Sequence, residues 1–155
     1  MKKGRIHMIK IVEGSLLDAA EDIMAHQVNC QGVMGSGIAK SLRASYSDLF
    51  PSYKQFCNNV APHDLLGKCH MVKTGLKYVA NLFGQLNYGR QKVIYTDYEA
   101  LQKALVSLKN EAQEKGLSVA LPYNIGCGLA NGDWDIVYKI IEDVFSDYDV
   151  TIYKI

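Results

Sequence analysis

The stretch that decides the fold is DIMAHQVNCQGVMGSGIAK, residues 22–40. Residues 22–29 predict a largely buried β-strand, because the run is short, mostly apolar and followed at once by turn residues. Gly32, Gly35 and Gly37 come next, and a helix is predicted to begin at Ile38. A strand that passes through a glycine-rich loop into a helix is typical of an α/β protein, and such a loop suits an anion.

A second loop of the same kind is PYNIGCGLAN, residues 122–131. It follows a predicted buried strand at 117–121 and precedes a helix marked by Trp134. Loops that link buried strands to helices lie at the carboxyl edge of a parallel sheet, so we expect the two loops to converge and to hold a diphosphate. The alternative is that both are merely tight strand-to-helix connections.

The rest of the chain continues this alternation of strands and helices. A capping box at Thr96-Asp97-Tyr98-Glu99 opens a helix that Gly116 ends. Lys73-Thr74-Gly75 is predicted to form a hairpin turn. The other predicted strands span 9–12, 68–72, 78–83 and 150–155, and the other predicted helices span 50–56 and 134–145.

Length and composition predict one domain, residues 1–155. Apolar residues make up 48% and charged residues 21%, which is typical of a packed core rather than of disorder. The net charge of +1 gives no support to a duplex-DNA binder, although it does not exclude nucleic acid as a partner. No apolar run approaches the ~20 residues of a membrane span.

The start of the chain has a basic segment at Lys2, Lys3 and Arg5 but no hydrophobic region behind it, as a signal peptide would need. We therefore expect a cytoplasmic protein that does not associate with membranes. Four cysteines lack a Cys-x-x-Cys pair and matching histidines. We accordingly expect neither a metal site nor a disulfide framework, and nothing in the pattern calls for a cofactor.

The first loop fits neither of the two commonest phosphate-binding patterns. A Walker loop needs Lys-Ser or Lys-Thr where this chain has Ile38-Ala39. A dinucleotide fingerprint needs a glycine where Lys40 stands, and an acidic residue about twenty positions further on that is also missing. The residues alone thus lead to an α/β protein with a two-loop anion site.

The segments VNCQGVMGSGIA (28–39) and PYNIGCGL (122–129) together resemble the macro domain, and the resemblance spans nearly the whole chain. The sequence is similar to the branch that contains the yeast ADP-ribose 1″-phosphate phosphatase, the terminal ADP-ribose glycohydrolase and the DNA ADP-ribosyl glycohydrolase antitoxins. The resemblance implies a three-layer α/β/α fold with a central mixed sheet, and a cleft for ADP-ribose or a derivative.

The ligand residues that the resemblance implies lie mostly in the two loops. Asn29 matches the asparagine that contacts the distal ribose, and the second loop matches the one that holds the diphosphate through backbone N–H groups. The full predicted set is Ser15, Leu16, Asn29, Gly32, Val33, Met34, Gly35, Ser36, Gly37, Ile38, Pro122, Asn124, Ile125, Gly126, Cys127, Gly128 and Leu129.

Several positions depart from the family pattern. Ser15 stands where many macro domains have the aspartate that holds adenine. The lysine nucleophile of the glycohydrolases is missing from Gln85-Leu86-Asn87, and Ala130 replaces their aspartate. Nothing in the sequence supplies Cys127 with an adjacent base.

The expected catalytic residues are His26 and Asn29. His26 matches a histidine of the phosphatase branch and would move a proton, whereas the alternative is a structural histidine on a buried strand. Arg90 would meet a phosphate or remain an ordinary solvated arginine. We therefore expect an ADP-ribose-binding hydrolase, with removal of a 1″-phosphate as the leading activity. The alternatives are a non-catalytic reader of ADP-ribose or of ADP-ribosylated protein or nucleic acid, and a glycohydrolase without the lysine.

Overall fold

The structure is a computed structural model that describes residues 9–155. The basic segment at Lys2, Lys3 and Arg5 lies outside the described residues. The described chain contains six strands and five α-helices, with one short 3-10 turn at Leu16–Asp18 between the first two strands. The strands are β1 (Ile9–Glu13), β2 (Ile23–Asn29), β3 (Cys69–Thr74), β4 (Lys77–Gln85), β5 (Val119–Pro122) and β6 (Val150–Lys154). The helices are α1 (Gly37–Ser45), α2 (Leu49–Asn58), α3 (Pro62–Leu65), α4 (Tyr98–Lys115) and α5 (Trp134–Val144).

The strands of the described region form one mixed sheet in the order β1-β6-β5-β2-β4-β3. All neighbouring pairs are parallel except β3 and β4, which form an antiparallel hairpin at one edge. The central strand β2 pairs with β5 on one side and β4 on the other. The loops that follow β2 and β5 consequently leave the sheet at the same edge.

Helices cover both faces of the sheet. Leu101, Leu105 and Leu108 of α4 pack with Val137 and Ile141 of α5 on one face. On the other face, α1, α2 and α3 contribute buried leucines and Tyr53 to a second apolar cluster. This arrangement confirms the predicted three-layer α/β/α class with a central mixed sheet.

The ends of several elements differ from the prediction for local reasons. Strand β5 begins at Val119 rather than at Leu117, because the Leu117 N–H donates to the Ala112 carbonyl and completes the end of α4. The hairpin turn is Gly75-Leu76, because both strands extend further than expected and Gly75 adopts a left-handed φ of 67°. The helix α3 and the 3-10 turn were not predicted.

The predicted capping box was wrong in its N-cap. Asp97 caps α4, with its carboxylate accepting a hydrogen bond from the Ala100 N–H at 3.0 Å. The Thr96 hydroxyl instead donates to the Gly126 carbonyl in the second loop. Thr96 therefore connects the start of α4 to the second loop instead of capping the helix.

Candidate ligand-binding cleft at the carboxyl edge of the sheet

The two glycine-rich loops face each other across a cleft. The first loop joins β2 to α1 and the second joins β5 to α5. A cavity of about 280 Å³ lies between them, lined by Ser36, Gly37 and Ile38 on one side and by Asn124 and Gly126 on the other. The convergence expected from the strand order is therefore present.

A larger cavity of about 490 Å³ continues the cleft towards Asn29. The two cavities share Gln27, Ser36, Gln85 and Leu129 in their linings, so they form one continuous space. The helix dipole and unpaired first-turn N–H groups of α1 favour negative charge at its N-terminus, which lies at this junction. The cleft is therefore suited to an elongated anionic ligand.

Most of the predicted ligand residues are brought together here. The larger cavity contains Asn29, Val33, Met34, Gly35, Ser36 and Leu129, and the smaller contains Ser36, Gly37, Ile38, Pro122, Asn124, Ile125, Gly126, Gly128 and Leu129. Ser15, Leu16, Gly32 and Cys127 do not line either cavity. Ser15 instead caps the 3-10 turn, and Leu16 is buried in the apolar core.

Asn29 organises the first loop. Its Nδ2 donates to the Val33 carbonyl at 2.9 Å, and its Oδ1 accepts from the Gln31 N–H at 2.9 Å. The Tyr53 hydroxyl donates to the Asn29 carbonyl at 2.7 Å and also lies 3.0 Å from Oδ1. An amide group has two N–H donors, so the second N–H of Asn29 is available to a ligand hydroxyl in the cavity that it lines.

A polar network that the sequence did not indicate joins the floor of the cleft to the second loop. Gln27 Nε2 donates to Gln85 Oε1 at 2.8 Å and to Thr96 Oγ1 at 2.9 Å, while the Thr96 hydroxyl donates to the Gly126 carbonyl. Gly126 has a φ of 74°, and a Cβ there would lie 3.0 Å from Gln27 Oε1. The positive φ and this close contact with a side chain of β2 both favour glycine at position 126.

His26 lies away from the cleft. Its side chain is 0% exposed, it lines neither cavity, and its Nε2 donates to Asn81 Oδ1 at 2.7 Å. Asn81 Nδ2 in turn donates to His70 Nδ1 at 3.3 Å, so these three side chains form a row across β2, β4 and β3. Burial lowers the pKa of His26 to about 4, although the hydrogen bond with Asn81 acts in the opposite direction. The expected proton transfer at a bound ribose therefore has no geometric support, and the structural alternative fits this position.

Cys127 is held inside the second loop. Its thiol donates to the Ile125 carbonyl at 3.4 Å. Burial, with a smaller contribution from the Asp133 carboxylate, raises the pKa of Cys127 to about 11. Asp133 caps α5 by accepting from the Asp135 N–H at 2.9 Å, the role that its position predicts. A nucleophilic thiolate is thus disfavoured.

Over the described part of the chain, the linings of both cavities contain no carboxylate, histidine or lysine side chain. Within residues 9–155, no three or more His, Cys, Asp or Glu side chains are grouped as metal ligands would be. No helix in the same range is both long and apolar enough to cross a bilayer. The cleft therefore offers mainly backbone, amide and hydroxyl groups, with the phenols of Tyr88 and Tyr123 and the guanidinium of Arg90 as its ionisable side chains.

A model of the macro domain matches residues 25–141 of this chain. The match covers most of the sequence, including both glycine-rich loops. The protein belongs to the macro domain family.

Two curated relatives and one solved structure are similar to the chain over most of its length. The ADP-ribose 1″-phosphate phosphatase of Scheffersomyces stipitis is 33% identical, over 92% of this chain and 96% of that protein. The DNA ADP-ribosyl glycohydrolase of Mycobacterium tuberculosis is 30% identical over 94% of this chain, but this chain spans only 42% of that protein. The solved macrodomain of Mycobacterium tuberculosis DarG has a TM-score of 0.77 and 30% identity, and the match covers 95% of this chain and 97% of that one.

Proposed function

We propose that the cleft binds ADP-ribose and that the protein hydrolyses an ADP-ribose derivative, with ADP-ribose 1″-phosphate as the leading substrate. The relatives named above support the ligand class. The resemblance assigns the diphosphate to the loops and the distal ribose to the cavity that contains Asn29.

The observation that carries the proposal is the N-terminus of α1. Its N-cap residue, Ser36, makes no side-chain hydrogen bond to the first turn, as is also true of Asp48 at α2 and Ala61 at α3, but of these three helix ends only that of α1 lines the cleft. Ser36, Gly37 and Ile38 line the cleft opposite the second loop. A helix end left uncapped in a cavity has N–H groups to donate, and a diphosphate supplies acceptors for them.

Hydrolysis of the 1″-phosphate would join a water oxygen to phosphorus and break the bond between phosphorus and the oxygen on C1″. The products are ADP-ribose, whose 1″-oxygen gains a proton, and inorganic phosphate. Because the described linings contain no carboxylate, histidine or lysine, the protein would contribute mainly by positioning the substrate and by stabilising charge. Asn29 would orient the ribose.

The absence of a carboxylate, histidine or lysine from the described lining favours a second function, that of a non-catalytic reader of ADP-ribose or of ADP-ribosylated protein or nucleic acid. A reader needs only the cleft. A glycohydrolase is a third proposal, but Gln85 and Ala130 line the cleft in the regions where that branch has its lysine and aspartate.

Calorimetric titration with ADP-ribose tests the ligand. We expect micromolar binding that Gly35→Glu abolishes, because Gly35 lines the larger cavity and a Cβ there meets only Val33 Cγ1 at 3.9 Å. The variant therefore has room to fold while placing a carboxylate in the larger cavity, beside Ser36, which lines both cavities at the junction with the expected diphosphate site. Leu76→Glu is the matched control, since Leu76 is 99% exposed at the tip of the β3–β4 hairpin.

Absence of binding to the unmodified protein, or equal loss in the Leu76→Glu control, would contradict the proposed ligand site. Phosphate release from ADP-ribose 1″-phosphate then separates the hydrolase from the reader. Release above the uncatalysed rate that Gly35→Glu removes supports the hydrolase, and binding without release supports the reader.

A further inference from the structure

Among the residues that the structure describes, Arg90 is the only charged side chain in the linings of the two cavities of the cleft. It lines the larger cavity, together with Asn29 and Gly35, and does not line the smaller one between the loops. The uncapped end of α1 reaches the smaller cavity. Arg90 therefore supplies positive charge at the end of the cleft that lies away from the expected diphosphate.

The backbone on both sides of Arg90 is held in place. Gly89 packs directly against the Tyr95 hydroxyl, and the Gln91 N–H donates to that hydroxyl at 3.2 Å. Asn131 Nδ2 donates to the Gln91 carbonyl at 3.2 Å and to the Val93 carbonyl at 2.7 Å. These contacts fix the base of the arginine side chain before any ligand arrives.

The guanidinium itself has no carboxylate partner within the described part of the chain. The ion pairs found there all involve lysines of other surfaces. The residues that share the larger cavity with Arg90 are polar or apolar but uncharged. A planar guanidinium in such a position is available for two parallel hydrogen bonds to one anionic group.

We propose that Arg90 forms an anion subsite for a phosphate group on the distal ribose, and that it determines the preference for the phosphorylated ligand over ADP-ribose itself. This inference rests on the proposed function, because the resemblance assigns the Asn29 end of the cleft to the distal ribose. A phosphate monoester carries about −1.5 to −2 charges near pH 7, whereas the bare ribose has only hydroxyl groups for the guanidinium. Arg90 thus distinguishes the two ligands by charge.

Lys92 provides the matched control. It lines an adjoining surface cavity of about 550 Å³ with Arg90, Val93 and Ile94, but it does not line the cleft. Removing Lys92 lowers the local positive charge by the same amount as removing Arg90. A difference between the two variants therefore reports contact rather than the general electrostatic field.

The test compares ADP-ribose with ADP-ribose 1″-phosphate in the unmodified protein and in Arg90→Gln, Arg90→Lys and Lys92→Gln. ADP-ribose affinity is measured by calorimetry. Affinity for the phosphorylated ligand is measured by calorimetry if the ligand is stable, and as KM for phosphate release if it is hydrolysed. We expect Arg90→Gln to weaken the phosphorylated ligand about tenfold more than ADP-ribose, because a hydrogen bond to a charged group is lost.

We expect Arg90→Lys to recover part of the preference for ADP-ribose 1″-phosphate over ADP-ribose. We expect Lys92→Gln to leave the ratio of the two affinities unchanged. The subsite would be overturned if Arg90→Gln had the same ratio of affinities for the two ligands as the unmodified protein, or if Lys92→Gln lost as much of the preference as Arg90→Gln. Either result would leave the proposed binding of ADP-ribose intact. Failure of the unmodified protein to bind either ligand would overturn both the proposed function and the subsite.

Discussion

Acidification should destabilise this protein through His26, and the size of the effect follows from the burial of that side chain. The ring is fully buried, with Nε2 bonded to Asn81 and Nδ1 without a partner among the described residues. Protonation would place a charge at Nδ1 with nothing to receive its hydrogen. The pKa of His26 is accordingly lowered from 6.5 to about 4.

The sign and magnitude follow from proton linkage. Well above pH 6.5 the ring is neutral in both the folded and the unfolded state and contributes no pH dependence. As the pH falls below that value the unfolded chain binds a proton and the folded protein does not, so the free energy of unfolding decreases. With folded and unfolded pKa values of about 4 and 6.5, the loss is about 2 kcal/mol at pH 5 and about 3 kcal/mol at pH 4.

Urea unfolding of the unmodified protein and of His26→Gln, each measured at pH 7.5 and at pH 5, isolates this contribution. Glutamine does not titrate, and its amide can still donate to Asn81, so the variant should lose about 2 kcal/mol less stability on acidification. Other groups, including His70, whose pKa is also lowered by burial, remain present in both proteins. The same acid loss in both proteins would refute the reasoning.

A proton NMR titration of the unmodified protein checks the same prediction without a variant. The His26 ring should show no titration between pH 8 and pH 5, because its pKa is about 4. A midpoint near 6.5 would mean that the ring reaches solvent and would restore the possibility of acid–base catalysis.

Three further predictions concern the cleft and its supports. Asn29→Ala should weaken ADP-ribose binding tenfold or more in calorimetry, since the first loop loses both its donor and its acceptor. Gly126→Ala should lower both the free energy of unfolding and the affinity for ADP-ribose, because alanine there would have a strained φ and its Cβ would lie 3.0 Å from Gln27 Oε1. Gly75→Ala is the control: its φ is also positive but its Cβ would have nothing within 4 Å, so it should show only the backbone strain of about 1–3 kcal/mol. Asp97→Ala should lower the free energy of unfolding by about 1 kcal/mol without changing affinity, whereas Thr96→Val should also weaken ADP-ribose binding.

The sequence predicted the layers of the fold because they depend on local patterns. Each loop is preceded by an apolar run of strand length and followed by residues of helical period, so the strand, loop and helix order could be read directly. The convergence of the loops then followed from the parallel arrangement of β2 and β5. These inferences require no knowledge of which distant side chains meet.

The polar contacts could not be predicted in the same way. Gln27 bonds to partners 58 and 69 positions away, and His26 bonds to Asn81, which is 55 positions away. Because β2 is covered on both faces, a polar residue within it gives no indication of whether it reaches the cleft or the interior. The N-cap of α4 was predicted wrongly for a related reason. Thr96 fits the local capping pattern, but its hydroxyl bonds to the carbonyl of Gly126, 30 positions away, and a short segment of sequence cannot reveal that contact.

The distribution of charge in the cleft bears on the choice between hydrolase and reader. A protein that hydrolyses a phosphate ester without a general base in reach must leave the water's proton to the substrate, and a phosphate dianion, with a second pKa of about 6, is itself able to accept it. Arg90 and the N–H groups of α1 would then act on charge that is already present in the ground state. Such interactions bind substrate and transition state almost equally, so they favour affinity over rate. We therefore expect selective binding with slow turnover. A reader would differ from such a hydrolase only in how far the positioning of the substrate by Asn29 and the first loop lowers the activation barrier to hydrolysis.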